Sequence, residues 1–203
     1  MSNTMAITAK EVAELRRQTG AGMMECKRAL EETGGDLAKA VEWLRVRGVA
    51  KADQRADREV KQGLVECYLH HNGKVGVLIE VNCETDFVAR TDDFRVLCRD
   101  LAMHVASTAP IAVAAADVPA EIVERERRIY TEQVAREGKP EAIRSKIVEG
   151  KLKKFFQESV LLEQPFVKDD KQTVGELVKA VSSKTGENVV VRRFVRFQIG
   201  EAV

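Results

Sequence analysis

The sequence predicts an α+β protein: three short N-terminal helices, then a small antiparallel three-stranded sheet packed with helices, and a protruding antiparallel helical hairpin. Three observations carry this reading. Apolar residues recur at helical spacing between capping and stop signals over residues 6–48. Two apolar runs, residues 63–70 and 75–82, flank Asn72-Gly73, a two-residue hairpin signal. Two helical runs with thin apolar stripes fill residues 118–158 and meet near Gly138-Lys139-Pro140. Helices so sparsely apolar pair as antiparallel hairpins that project from a body. The expected division is a helical module over residues 1–48, a charged connector over 49–62, and an α+β core over 63–203 containing the hairpin at about 118–158.

Each element has its own signals. Thr8 and Glu11 have capping-box spacing, Val12 and Leu15 face inward, and Thr19-Gly20-Ala21-Gly22 ends the first helix. The second carries Met23, Cys26, Ala29 and Leu30 on one side and ends at Gly34-Gly35. Asp36 caps a third bearing Leu37, Ala40, Val41 and Leu44, with Gly48 as its expected stop. Alternating charges in the connector suit a solvated helix or linker. The Asn72-Gly73 turn pairs His71 with Lys74 and sets Cys67 opposite Leu78. A helix follows over 92–107, its stripe Phe94, Leu97, Cys98, Leu101 and Val105. Ile122, Ile129 and Tyr130 line one hairpin helix; Ile147, Val148, Leu152 and Phe155 line the other. Pro165-Phe166-Val167 is extended, Thr173 and Glu176 form a second capping box before Leu177, Val178 and Val181, and residues 189–199 close the chain as a long-range third strand.

Composition narrows the function. The 203 residues are 44% hydrophobic, 32% charged and 5% aromatic, the balance of a charge-covered, helix-rich soluble protein. A net charge of +1 from 33 basic and 32 acidic residues weighs against nucleic-acid binding. No apolar run is long enough for a membrane span, and residues 1–10 carry no secretory signal, so the cytoplasm is the expected compartment. Cys26, Cys67, Cys83 and Cys98 lack zinc or redox spacing and are expected to be buried free thiols.

Residues 80–90, Glu80-Val81-Asn82-Cys83-Glu84-Thr85-Asp86-Phe87-Val88-Ala89-Arg90, end an apolar run in polar residues and then raise an aromatic where the chain turns. Such a tip needs a core pocket or a partner. On chemistry alone, stapling the next helix to the sheet is the simpler role for Phe87. The wording of the segment shifts that balance, because it resembles the Thr-Asp-Phe-Val motif of the bacterial elongation factor Ts family, the nucleotide-exchange factors of elongation factor Tu. Residues 15–30, which include Arg16-Arg17-Gln18-Thr19-Gly20-Ala21-Gly22-Met23-Met24-Glu25-Cys26-Lys27, resemble that family's N-terminal motif. The two motifs stand in the family's order and spacing, and the resemblance covers nearly the whole chain.

The resemblance implies a ubiquitin-associated-like bundle at the N-terminus and a coiled-coil hairpin in the core. It implies a guanine-nucleotide exchange factor for elongation factor Tu: no enzyme, no cofactor or metal of its own, no direct nucleic-acid contact and no membrane. The partner-binding residues it implies are Thr85, Asp86, Phe87 and Val88, with Arg16, Met23, Met24 and His104. In the implied mechanism the phenylalanine enters a pocket between helices of the partner's G domain and disturbs Mg²⁺ and phosphate binding. Long members of the family carry two related core halves, whereas this chain has strands for one. Short members resemble half-cores that pair, so the expectation is a homodimer, two copies with two Tu molecules.

Other chemistries find less support in the residues. Cys83 with a histidine would make a thiol nucleophile, but no local sequence supports it. Gly20-Ala21-Gly22 follows a helix and lacks the Gly-Lys-Ser/Thr of a phosphate loop. Asp86, Asp92 and Asp93 do not have calcium-loop spacing. Lys151, Lys153 and Lys154 read as a solvated helix face, and His104, taken alone, as a half-buried structural residue. A non-catalytic adaptor and a cysteine-dependent enzyme are the alternatives.

Overall fold

The computed structural model describes residues 7–138 and 140–201, apart from the side chains of 49–51 and 53. Residues 1–6 of the stretch expected to lack a signal, and Lys139 of the hairpin link, lie outside the described residues. Among the described residues are eight α-helices, a three-stranded antiparallel sheet and a two-stranded ribbon, an α+β architecture. They divide into two compact units. One comprises the chain up to Gly63 with Asn82–Arg95 and Val178–Val190; the other comprises Leu64–Val81, Val96–Leu177 and the chain from Val191.

In the first unit, α1 (Ala9–Thr19) opens on a capping box: Glu11 N–H donates to Thr8 Oγ1 at 3.3 Å, and Thr8 N–H to Glu11 Oε2 at 2.8 Å. With α2 (Met23–Glu32) and α3 (Leu37–Asp53) it encloses Val12, Leu15, Cys26, Ala29, Leu30, Ala40 and Leu44. Asp36 caps α3, accepting Lys39 N–H at 3.1 Å. Two expectations change here. Met23 does not join the inner face: it is 56% exposed, and α2 buries Cys26, Ala29 and Leu30 instead. Gly48 does not stop α3. A side-chain carbon at Gly48 would lie 3.0 Å from Ser183 Oγ, so this glycine permits a close approach instead of ending the helix.

The sheet contains β1 (Gln62–Leu69), β2 (Val75–Cys83) and, across the ribbon β3 (Pro165–Phe166)–β4 (Asp169–Thr173), the late strand β5 (Val189–Gln198). Its order is β1-β2-β5, with the last strand alongside the second. The hairpin turn is wider than expected. Gly73 N–H donates to His70 carbonyl at 2.7 Å, and His70 N–H to Val75 carbonyl at 2.9 Å, so His70 and Val75 close the ladder instead of His71 and Lys74. The register is unchanged by this, since both pairs lie on one ladder. Alternation along β1 turns Cys67 outward, so it is exposed, while Cys26, Cys83 and Cys98 are buried free thiols.

A single-turn helix, α4 (Asp86–Ala89), and α5 (Asp92–Thr108) follow β2. All five stripe residues of α5 expected inside are buried. In the second unit, α6 (Ala120–Arg136) and α7 (Glu141–Ser159) enclose Val134, Val148 and Leu152, with Val123, Tyr130 and Ile147 beside them. Ile129 is 41% exposed, and Val134 takes the inner place assigned to it. The second capping box opens α8 (Val174–Thr185): Glu176 N–H donates to Thr173 Oγ1 at 3.1 Å, and Thr173 N–H to Glu176 Oε2 at 3.0 Å. Strand β4, Asp-Asp-Lys-Gln-Thr, has no apolar alternation to announce it; pairing with β3 makes it a strand.

Candidate partner-binding surface

Thr85 organises the loop after β2. Its Oγ1 accepts Val88 N–H at 3.4 Å and donates to Glu187 Oε1 at 2.6 Å. The first bond caps α4, so the segment expected as an open turn is one helical turn. Ala89 packs inward, Val88 is half-buried, and Phe87 is left 78% exposed. The stapling role is thereby ruled out, because Phe87 touches too little protein to fasten anything. Asp86 pairs with Arg90 at 2.8 Å on the same turn.

The backbone behind the tip is bonded long-range. Glu84 N–H and Thr85 N–H both donate to Glu187 Oε2, at 3.1 and 3.0 Å. In return, Glu84 Oε1 accepts Asn188 N–H at 2.6 Å. Asn188 is buried and donates to the Ala56 and Arg58 carbonyls at 3.1 and 2.9 Å. The sequence offered no local sign that residues 187 and 188 hold residues 84 and 85; only the fold joins them.

The N-terminal motif reaches the same neighbourhood through Lys184. Gly20, left-handed at φ +68°, brings its backbone so close to the Lys184 stem that an added side-chain carbon would lie 2.6 Å from it. Lys184 Nζ in turn donates to Asp93 Oδ1 at 2.6 Å, just after the Phe87 turn. Met23 and Met24, which follow the Gly20 loop, are 56% and 74% exposed, and Arg16 is exposed.

His104 lies elsewhere in character. It is fully buried, so any effect on a partner passes through the groups it holds. Val167 N–H donates to Nδ1 at 3.3 Å, which leaves the proton on Nε2 to bond Gln164 Oε1 at 2.9 Å. Gln164 Nε2 donates to the Glu158 carbonyl at 2.7 Å, tying α5 to the end of α7. Burial pushes the His104 pKa below the usual imidazole value, against the opposing pull of Gln164.

The chemistry available nearby is slight. Cys83 Sγ donates to Thr85 carbonyl at 3.1 Å, and burial, then the charge of Glu187, pushes the thiol up to about 11. A thiol so hard to ionise is a poor nucleophile at neutral pH. Among the described residues no three histidine, cysteine or acidic side chains group to hold a metal, and no helix is long and apolar enough to cross a membrane.

Phe87, Met23 and Met24 thus present apolar side chains to solvent from this part of the chain. Comparison with known proteins is more specific. The family model described as elongation factor TS matches residues 2–201. An elongation factor Ts of Coprothermobacter proteolyticus is 55% identical over 197 residues, covering 97% of this chain and 100% of the relative. That of Fervidobacterium nodosum is 53% identical with the same coverage, and that of Heliobacterium modesticaldum is 53% identical over 92% of its own length. The chain belongs to the elongation factor Ts family.

Proposed function

We propose that this chain binds elongation factor Tu in its GDP form and accelerates GDP release as a non-enzymatic exchange factor. Phe87, with Thr85, Asp86 and Val88, is the wedge that enters the partner and disturbs its hold on Mg²⁺ and the diphosphate. The observation that carries this reading is Phe87, 78% exposed on a turn whose leading backbone, Glu84 N–H and Thr85 N–H, is held by Glu187. Family membership supplies the partner.

Magnitudes assign the remaining roles. Coupling between exchange factor and nucleotide is reciprocal, so each weakens the other equally. A coupling of ~10⁴-fold requires about 5.5 kcal/mol of differential binding. Burying one phenylalanine contributes roughly 1.5–3 kcal/mol. Phe87 therefore needs help, which we assign to Arg16, Met23 and Met24 of a ubiquitin-associated-like module over residues 1–48, joined by the connector 49–62 to the core 63–203. His104 serves from inside, by fixing the base of α7. In this reading α6 and α7 form the coiled-coil hairpin, and the protein acts in the cytoplasm.

We also propose a homodimer carrying two Tu molecules. Glu80 and Arg193 pair at 2.7 Å, and strand alternation puts Leu78, Val195 and Phe197 on their side of the sheet with Val65 and Leu69. Val65, Leu69 and Phe197 are about 70% exposed, at 68%, 71% and 69%, an apolar face that a second copy would cover. Mixing the protein with Tu·GDP carrying a fluorescent nucleotide tests the exchange reading: accelerated release is expected, and release at the spontaneous rate refutes it.

A further inference from the structure

We infer that Glu187 is a positioning residue for exchange: its carboxylate sets the orientation from which Phe87 is delivered, although it does not itself meet the partner. The inference rests on the exchange reading above. Three bonds converge on this one side chain, from Glu84 N–H, Thr85 N–H and Thr85 Oγ1, at 3.1, 3.0 and 2.6 Å. Those donors are the two residues between the end of β2 and the turn that carries Phe87. Backbone N–H groups at a strand end must find acceptors, and here a charged acceptor from about a hundred residues away supplies both, as in other charge-assisted bonds.

The main chain that carries the carboxylate is itself anchored. Gly186, left-handed at φ +77°, turns the chain out of α8, and Ser182 Oγ donates to the Glu187 carbonyl at 2.5 Å. Asn188, next in sequence, is buried and fastened to the Ala56 and Arg58 carbonyls, and its N–H holds Glu84 Oε1. Residues 84–85 and 187–188 thus clasp each other in both directions. Thr85 Oγ1 also caps the turn at Val88 N–H, so the hydroxyl that Glu187 orients is the one that shapes the Phe87 helix. Without the carboxylate, the Thr85 hydroxyl and both backbone donors lose their acceptor together. Phe87 would stay exposed but lose a fixed direction, and small misplacements of an acting group cost up to ~10²-fold in rate.

The test measures stopped-flow release of fluorescent GDP from Tu·GDP with wild type, Glu187→Ala, Glu187→Gln, Phe87→Ala and the Glu187→Ala/Phe87→Ala double variant. Glu187→Ala is expected to lower the maximal release rate roughly tenfold or more, with little change in the half-saturating concentration. Glu187→Gln, which keeps a carbonyl for the two N–H donors, restores most of the rate. In the Phe87→Ala background the alanine at 187 adds no further loss, because it acts through Phe87. Wild-type rates for Glu187→Ala beside a slow Phe87→Ala overturn the positioning role alone, as does a full multiplicative loss in the double variant. A fast Phe87→Ala overturns the exchange reading and this inference with it. If Glu187→Ala fails to fold, Thr85→Val deletes the 2.6 Å bond, and the Val88 cap with it, while leaving both backbone bonds, and a wild-type rate there is equally contrary.

Discussion

Phe87 shows how far chemistry at one residue can be read from sequence. Its place after Asp86 marked it as unusual, but only the structure separates a buried staple from a solvent-facing tip, and 78% exposure decides for the tip. Phe87→Ala should therefore leave thermal stability within about 0.5 kcal/mol of wild type, checked by calorimetry. His104 is the opposite case, a residue that resemblance pointed outward and packing turned inward. Its folded-state pKa lies below the ordinary 6.5, chiefly through burial. As pH falls through that value, the unfolded chain takes up a proton that the folded chain refuses. This contribution to stability is complete above pH 6.5 and is lost progressively below it, until the buried ring titrates. Urea midpoints should fall between about pH 7 and pH 5, and the fall should be smaller in His104→Asn, where that linkage is gone. Glu187 was illegible at this scale because its partners lie on another strand's end, and no spacing rule spans that separation.

At the scale of elements, local signals served where they were local. Both capping boxes, the Asp36 cap and the apolar stripe of α5 could be read because each depends on residues three or four apart. Gly48 misled because a glycine that ends a helix and a glycine that admits a neighbour look the same in sequence. The close approach of Ser183 separates them. Gly48→Val should overpack that contact and cost about 1–3 kcal/mol, measured by urea unfolding. Strand β4 was invisible because its pairing is decided by β3 and not by its own side chains. The helical pair α6–α7 depends on few buried residues, so each counts. Leu152→Ala, 2% exposed in wild type, should cost about 2–5 kcal/mol, and hydrogen exchange should speed most in these two helices.

At the scale of the whole molecule, one sheet leaves an apolar face uncovered, and one copy of the Phe87 turn serves each chain. That the β-rich closing segment joins the hairpin sheet was anticipated, but its place beside β2 and the exposed face it builds emerge only when all three strands are placed. A Leu78→Lys/Val195→Lys variant should sediment as a monomer at micromolar concentration where wild type sediments as a dimer; a monomeric wild type would refute the pairing. The central claim concerns the wedge. Stopped-flow release of fluorescent GDP from elongation factor Tu should be strongly accelerated by wild type and lose most of that acceleration with Phe87→Ala, although the variant still folds and binds somewhat more weakly. Undiminished acceleration by Phe87→Ala would contradict the account.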